Sequence, residues 1–281
     1  MKRIAIQGSI GSFHDIAAHQ YFEGEQIQLI CCSTFEQVFE NIKRDPTVIG
    51  MVAIENTIAG SLLHNYELLR DSGTTVVGEH KLHISHSICC LPEDTWETVR
   101  EVHSHPVALM QCRDFLDNHP DIKVVEGIDT AGSAKYIKDN DCKGWAAICN
   151  VSAAKLYGLK VLEESIEDNK HNFTRFLVVC NPRKADFLRP LEKADKSSMV
   201  FALPHEEGSL SQVLSIMSFY KINLTKIQSL PIIGHEWEYL FYVDVTYDNL
   251  TRYRQSIDAI TPLTKELKIL GEYQDGKQPN L

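Results

Sequence analysis

The feature that most restricts this chain is a repeated passage from a short apolar run into an amphipathic stretch, sustained over residues 1–180. Strands are expected at 4–7, 27–32, 49–54, 101–103, 123–126, 146–148 and 173–179. Helices are expected after the turn at 8–12 through about 22, and at 34–43, 61–69, 107–118, 130–139 and 151–157. Such alternation belongs to the α/β class, with mostly parallel sheets covered by helices. The long run 76–91 breaks the pattern and carries His80, His83 and His86. Its length suggests a strand crossing from one lobe to another, with 160–172 bringing the chain back. This gives two lobes, roughly 1–76 with 161–181, and 77–160, and a cleft between them where ligands bind.

A different pattern follows a charged linker at 182–197 that contains Pro182 and Pro190. Strands at 198–203, 224–230, 238–245 and 268–273 and helices at 208–220 and 250–260 give the order βαββαβ, a ferredoxin-like unit spanning 198–281.

Charge and composition exclude several classes. A net charge of −10 argues against a nucleic-acid surface, which needs clustered Lys and Arg. A small anionic ligand would have to be held by local donors against that field. No stretch approaches the ~20 apolar residues of a membrane span. The start Met1-Lys2-Arg3 runs straight into a strand, without the apolar run and cleavage site of a signal peptide. The eight cysteines include no Cys-x-x-Cys pair and sit mostly in apolar runs, as small hydrophobes do in a reducing cytoplasm.

Five segments place polar side chains at strand ends. Gly8-Ser9-Ile10-Gly11-Ser12 reads either as a plain turn or as a backbone cradle for an anion at a helix start. Glu55-Asn56-Thr57-Ile58-Ala59-Gly60-Ser61 follows an apolar strand; it reads as a helix start or as site residues at a strand's carboxyl end. In His103-Ser104-His105-Pro106, Ser104 is positioned to cap a helix that carries Gln111. The two histidines lack a third ligand at helical spacing, so no metal site is expected. Asp129-Thr130 caps another helix. In Asn172-Phe173-Thr174-Arg175-Phe176, alternation puts Thr174 and Phe176 on one face and Arg175 with Leu177 on the other. Arg175 must either pair at a surface edge or clamp a carboxylate in bidentate fashion.

Taken in order, residues 8–17, 55–61, 104–112, 129–134, 146–159 and 172–176 resemble the prephenate dehydratase family, with Thr174-Arg175-Phe176 matching its best-known signature. The C-terminal unit resembles that family's ACT domain, through Gly208-Ser209-Leu210, Asn223-Leu224 and Gln228-Ser229-Leu230-Pro231. The resemblance implies a catalytic domain like periplasmic binding proteins of the second type, plus the ACT domain. Since no chorismate mutase segment precedes Met1, the expected enzyme is monofunctional. It would be a cofactor-free carbon–oxygen lyase making phenylpyruvate from prephenate in phenylalanine biosynthesis. Thr174 is expected as the acid, with Glu55, Asn56, Ser104 and Gln111 beside it. Arg175, Ser12, Ser61, Thr130 and Phe176 are expected to bind substrate. Phenylalanine is expected as the allosteric inhibitor, at Gly208, Ser209, Leu210, Asn223, Leu224, Gln228 and Ser229 of paired ACT domains in a homodimer or homotetramer. Departures from the family pattern are Ser9, His14, Gln228 and Leu230. The alternatives are an arogenate dehydratase and a small-molecule sensor without catalysis.

Overall fold

The computed structural model describes residues 1–188, 191–232, 234 and 238–276. The chain opens with β1 (Lys2–Gln7), α1 (Phe13–Tyr21), β2 (Ile27–Cys32), α2 (Phe35–Arg44) and β3 (Val48–Asn56). Next come β4 (Gly60–Ser61), α3 (Leu63–Asp71) and β5 (Thr75–His83). Ile4, Ala5 and Ile6 are all fully buried, and β3 is buried from Val48 to Ile54. Strands with no polar face need a layer on both sides, and helices supply one here. Thr34 caps α2 through Gln37 N–H, and Val38, Phe39 and Ile42 form its buried stripe.

The second sheet is built from β6 (Ser87–Cys90), β7 (Glu101–Ser104), β8 (Lys123–Glu126), β9 (Trp145–Cys149) and β10 (Lys160–Glu163), in the order β10-β6-β9-β7-β8. The helices α4 (Pro106–Gln111), α5 (Arg113–Asp117), α6 (Thr130–Asp139) and α7 (Val151–Leu156) join its strands. The chain returns to the first sheet through β11 (Phe173–Cys180), antiparallel to both β3 and β5. Both sheets are therefore mixed, not mostly parallel: β11 and β6 run against their neighbours because they are the two crossing connections. The run 76–91 does pass between sheets, but as two strands broken at 84–86. All of β5 belongs to the first sheet and β10 to the second; we call the first sheet with its helices the first lobe, and the second sheet with its helices the second.

Beyond β11, the expected linker contains α8 (Pro182–Leu188); Pro190 lies outside the described residues. Then β12 (Lys196–Ala202), α9 (Ser209–Phe219), β13 (Asn223–Pro231), β14 (Tyr239–Thr246), α10 (Leu250–Ile260) and β15 (Lys265–Tyr273) form the βαββαβ unit, with antiparallel order β13-β14-β12-β15.

This unit does not hang free. β15 meets β5 in parallel at Gly271 and Val76, extending the first sheet to ten strands in the order β13-β14-β12-β15-β5-β11-β3-β1-β2, with β4 beside β3. One apolar core runs across the junction, uniting Val52, Tyr66, Val76 and Leu177 with Val200, Leu240, Tyr242 and Tyr273. Gly271 is required there, because a Cβ on it would stand 2.3 Å from the Val76 carbonyl oxygen. Gly271→Ala is expected to cost about 1–3 kcal/mol through that overlap. A urea titration should show the lower midpoint, and a midpoint equal to the parent's would mean the junction gives way freely.

Candidate active site

Between the two lobes lies a cavity of about 270 Å³. Thr174, Phe176, Asn56, Ala53 and His14 face it from the first lobe, and Gln111, His105, Asp129 and Thr130 from the second. The chain reaches this arrangement through a β-bulge. Thr174 pairs with Asn56 and Arg175 with Glu55, but Phe176 pairs with Ala53, so Ile54 is the extra residue. Strand side chains alternate, so residues three apart would normally face opposite ways. The bulge turns both Ala53 and Asn56 toward the cavity.

A set of buried amides ties the lobes together at Thr174. The Asn56 Oδ1 accepts from the backbone N–H groups of Ile58 (3.0 Å) and Ala59 (2.8 Å), which only an oxygen can do. That fixes its Nδ2 as donor, its two hydrogens shared among Asn172 Oδ1 (2.7 Å), Thr174 Oγ1 (3.1 Å) and the Phe173 carbonyl oxygen (3.2 Å). The Asn172 Nδ2 then donates to Gln111 Oε1 (2.9 Å), and Gln111 Nε2 donates back to Asn56 Oδ1 (3.3 Å). His86 Nε2 donates to the same Gln111 oxygen at 3.1 Å, leaving its buried Nδ1 as an acceptor without a partner. Thr174 accepts a hydrogen bond from Asn56 and borders the cavity, so its hydroxyl can donate to a ligand there.

The remaining walls bring helix starts. Ser12 caps α1, accepting from Asp15 N–H, while Gly11 N–H donates to Asp15 (2.6 Å). Gly11 takes a φ of 87°, a left-handed bend that favours glycine. Asp129 caps α6, and its carboxylate also accepts from Ser9 Oγ at 3.0 Å. Asn150 Nδ2 donates to the Gly11 carbonyl oxygen at 2.7 Å. The turn at 8–12 is thus held from the opposite lobe. Among the described residues, no Lys or Arg lines the cavity. Burial lowers the proton affinity of all three wall histidines: His14 to about 3, and His86 and His105 below the ordinary value, against the pull of Gln111 on one and Asp129 on the other.

A family model for prephenate dehydratase matches residues 4–184. The chain is 33% identical to the bifunctional chorismate mutase/prephenate dehydratase of Aquifex aeolicus, over 96% of this chain and 73% of that one. It is 32% identical to arogenate dehydratase/prephenate dehydratase 6 of Arabidopsis thaliana, over 96% and 68%. A prephenate dehydratase of Arthrobacter aurescens, solved in complex with L-Phe, superposes with a TM-score of 0.87 at 27% identity, over 99% and 92% of the two chains. The chain belongs to the prephenate dehydratase family.

Four residues expected at a prephenate dehydratase site stand elsewhere. Arg175 faces away from the cavity, as its alternation with Thr174 requires. Its guanidinium meets Glu79 (2.7 Å), Asp244 (2.5 Å) and the Tyr273 hydroxyl (3.0 Å), so it clamps the protein's own carboxylates. Burial alone would lower its proton affinity, but Asp244, Tyr273 and Glu79 raise it well above the ordinary value. Glu55 lies on that same face, 2.8 Å from Lys226 Nζ, which also donates to Ser61 Oγ at 2.8 Å. Ser104 is fully buried and donates to the Ile148 carbonyl oxygen at 2.6 Å, fastening β7 beside β9. Conversely, Asn56, Gln111, Ser12, Thr130, Phe176 and Thr174 do meet at one cavity. His86 and Asn172 stand in the run 76–91 and at the head of 172–176, with no role assigned to either from sequence. Asn172 had one available signal, its place two residues before Thr174.

His14 packs against Phe35 and Phe176 and its Nε2 accepts from Ala53 N–H. Burial keeps it neutral in the fold, while the unfolded chain binds a proton near the ordinary value of 6.5. Its contribution to stability is therefore full above about pH 6.5 and drains as the pH falls toward about 3, at up to ~1.4 kcal/mol per pH unit. His14→Gln should flatten the acid limb of a pH–stability curve; an unchanged limb would contradict the burial account.

Proposed function

We propose that the chain is a carbon–oxygen lyase that converts prephenate to phenylpyruvate, with Thr174 meeting the departing hydroxyl. In that reaction the bond from ring carbon to carboxylate breaks and carbon dioxide leaves. Its electron pair moves through the ring diene to expel the C4 hydroxyl, which takes a proton and leaves as water. The ring becomes aromatic, so the step is downhill once the oxygen can depart. Help to a leaving oxygen from a positioned donor is typically worth ~10²–10⁴-fold.

The observation that carries this reading is the Asn56–Thr174 hydrogen bond at 3.1 Å, which uses the threonine oxygen as an acceptor beside the cavity and leaves its hydroxyl able to donate to a ligand there. Threonine is a weak acid, so it works by hydrogen bonding to the leaving oxygen, with solvent supplying the net proton. Among the described residues no guanidinium or ammonium lines the cavity, and the carboxylates of Asp15 and Asp129 already sit at the starts of α1 and α6, so substrate carboxylates would rely on neutral donors such as the Ser12 and Thr130 hydroxyls. Gln111 and Asn172 hold Asn56 in its donor orientation. Thr174→Ala is expected to lower turnover ~10²-fold or more with folding intact. Formation of phenylpyruvate at the parent rate would remove Thr174 from the chemistry.

Asp129 favours a second reading. Among the described residues it is the one carboxylate that lines the cavity, and an ammonium-bearing substrate, arogenate, would complement it better than a keto acid. A side-by-side comparison of kcat/KM for the two substrates separates the readings.

The two sheets read as lobes of a binding-protein-like domain, and the βαββαβ unit as an ACT domain. Gly208 begins α9 in a left-handed conformation, and Ser209 and Leu210 line a shallow cavity of about 150 Å³ with Pro204, His205, Tyr239 and Phe241. Asn223, Leu224, Gln228 and Ser229 stand on β13, the outer edge of the ten-stranded sheet. A second copy paired at that edge would complete a phenylalanine site. Calorimetry with phenylalanine at millimolar concentration should give binding and slowed turnover; no heat at that concentration would count against regulation by phenylalanine.

A further inference from the structure

The sheet that carries Asn56 and Thr174 on its cavity face carries their chain neighbours on the other. We infer that Arg175 and Glu55 are positioning residues for the reaction: Asp244 of the C-terminal unit holds Arg175, Lys226 holds Glu55, and these ties set where Thr174 and Asn56 stand. The inference rests on the reading of Thr174 given above.

The geometry has two matched halves. On β11, Thr174 faces the cavity while Arg175, one peptide away, bonds Glu79 of β5, Asp244 of β14 and Tyr273 of β15. On β3, Asn56 faces the cavity while Glu55 bonds Lys226 of β13. The two halves are paired directly, Thr174 with Asn56 and Arg175 with Glu55, just where the bulge begins. Arg175 Nη1 also lies 3.8 Å from Glu55, which joins the halves on the far face.

Lys226 has a second grip. It donates to Ser61, which pairs with Glu55 across the short hairpin β3–β4. The turn of that hairpin supplies the Ile58 and Ala59 amides that orient Asn56. A shift of Lys226 therefore moves both the strand and the turn that aim the Asn56 amide.

Two features make these ties stiff. The Arg175 side chain is 11% exposed and Asp244 5%, so their attraction is little screened. Asp244 is itself fixed by Ser198 Oγ at 2.5 Å, and Ser198 bonds Tyr273 at 2.6 Å. The apolar core shared across the junction prevents the C-terminal unit from sliding without opening packed side chains. A misplacement near 1 Å costs up to ~10²-fold in rate, and one extended peptide absorbs little of a shift at its neighbour.

The test uses the full chain and prephenate, with thermal unfolding followed in parallel. Asp244→Asn is expected to lower kcat by ~10-fold with KM changed less than about 2-fold, since misplacing the donor harms the transition state more than binding. Lys226→Met leaves Glu55, which is partly exposed, free to hydrate; it should lower kcat by at least ~3-fold without a large fall in unfolding temperature, and it decides the matter if Asp244→Asn does not fold. Asp244→Glu, which keeps the charge, should recover part of the loss. In a Thr174→Ala background, Asp244→Asn should add little further loss, because the group being positioned is gone.

The inference is overturned by folded variants with kcat within about 2-fold of the parent, by a loss that follows only the folded fraction, or by an equal loss in the Thr174→Ala background. A parent chain inert toward prephenate overturns the functional reading itself, and this inference with it. A working parent with unaffected variants overturns the inference alone.

Discussion

Asn56 and Thr174 stand opposite each other on antiparallel strands, joined by one hydrogen bond from amide to hydroxyl. Both faces of the sheet are organised by that pairing. Toward the second lobe it begins the run of amides through Asn172 and Gln111 to His86. Toward the C-terminal unit it places Glu55 and Arg175 side by side against Lys226 and Asp244. An extra residue at Ile54 makes this possible, because without it Ala53 and Asn56 would not share a face.

The amide network is costly unless complete. Buried amides left without partners lose about 1–3 kcal/mol each, and here their orientations follow one from the next once two backbone N–H groups fix Asn56. Completeness gives a single arrangement of the amides, with the Thr174 hydroxyl beside the cavity and able to donate to a ligand. The buried lone pair on His86 Nδ1 is the one place where the network ends without a partner. The same economy of charge marks the cavity. Among the described residues its walls carry no guanidinium or ammonium, and they offer helix starts that already hold Asp15 and Asp129 beside histidines that burial keeps neutral, so a ligand would meet dipoles and the Asp129 carboxylate.

Much of this was legible in the sequence. Alternation along 173–177 separated Thr174 and Phe176 from Arg175, and the two faces are as that period requires. The small polar residues at strand ends include Ser12, Asn56 and Thr130, and all three line the cavity. What was not legible depends on what lies across the sheet. Sequence left Arg175 with two fates, a surface edge or a substrate clamp, because nothing local announces that β14 and β15 bring Asp244 and Tyr273 against it. Ser104 has the right residue type at a strand end, but the Ile148 carbonyl of a neighbouring strand takes its hydroxyl. Glu55 follows the same rule: the bulge, invisible to any periodicity, decides which of Glu55 and Asn56 enters the cavity. The crossing at 84–86 was blurred because polar and apolar residues keep alternating through it, from Leu82 to Ile88, and β10 carries too few apolar residues to stand out.

The most direct measurement is prephenate turnover by Thr174→Ser beside Thr174→Val. Serine keeps the hydroxyl that Asn56 orients, and valine keeps the shape without it. The account predicts that the serine variant stays within about tenfold of the parent while the valine variant falls ~10²-fold or more. Equal rates for the two would contradict it.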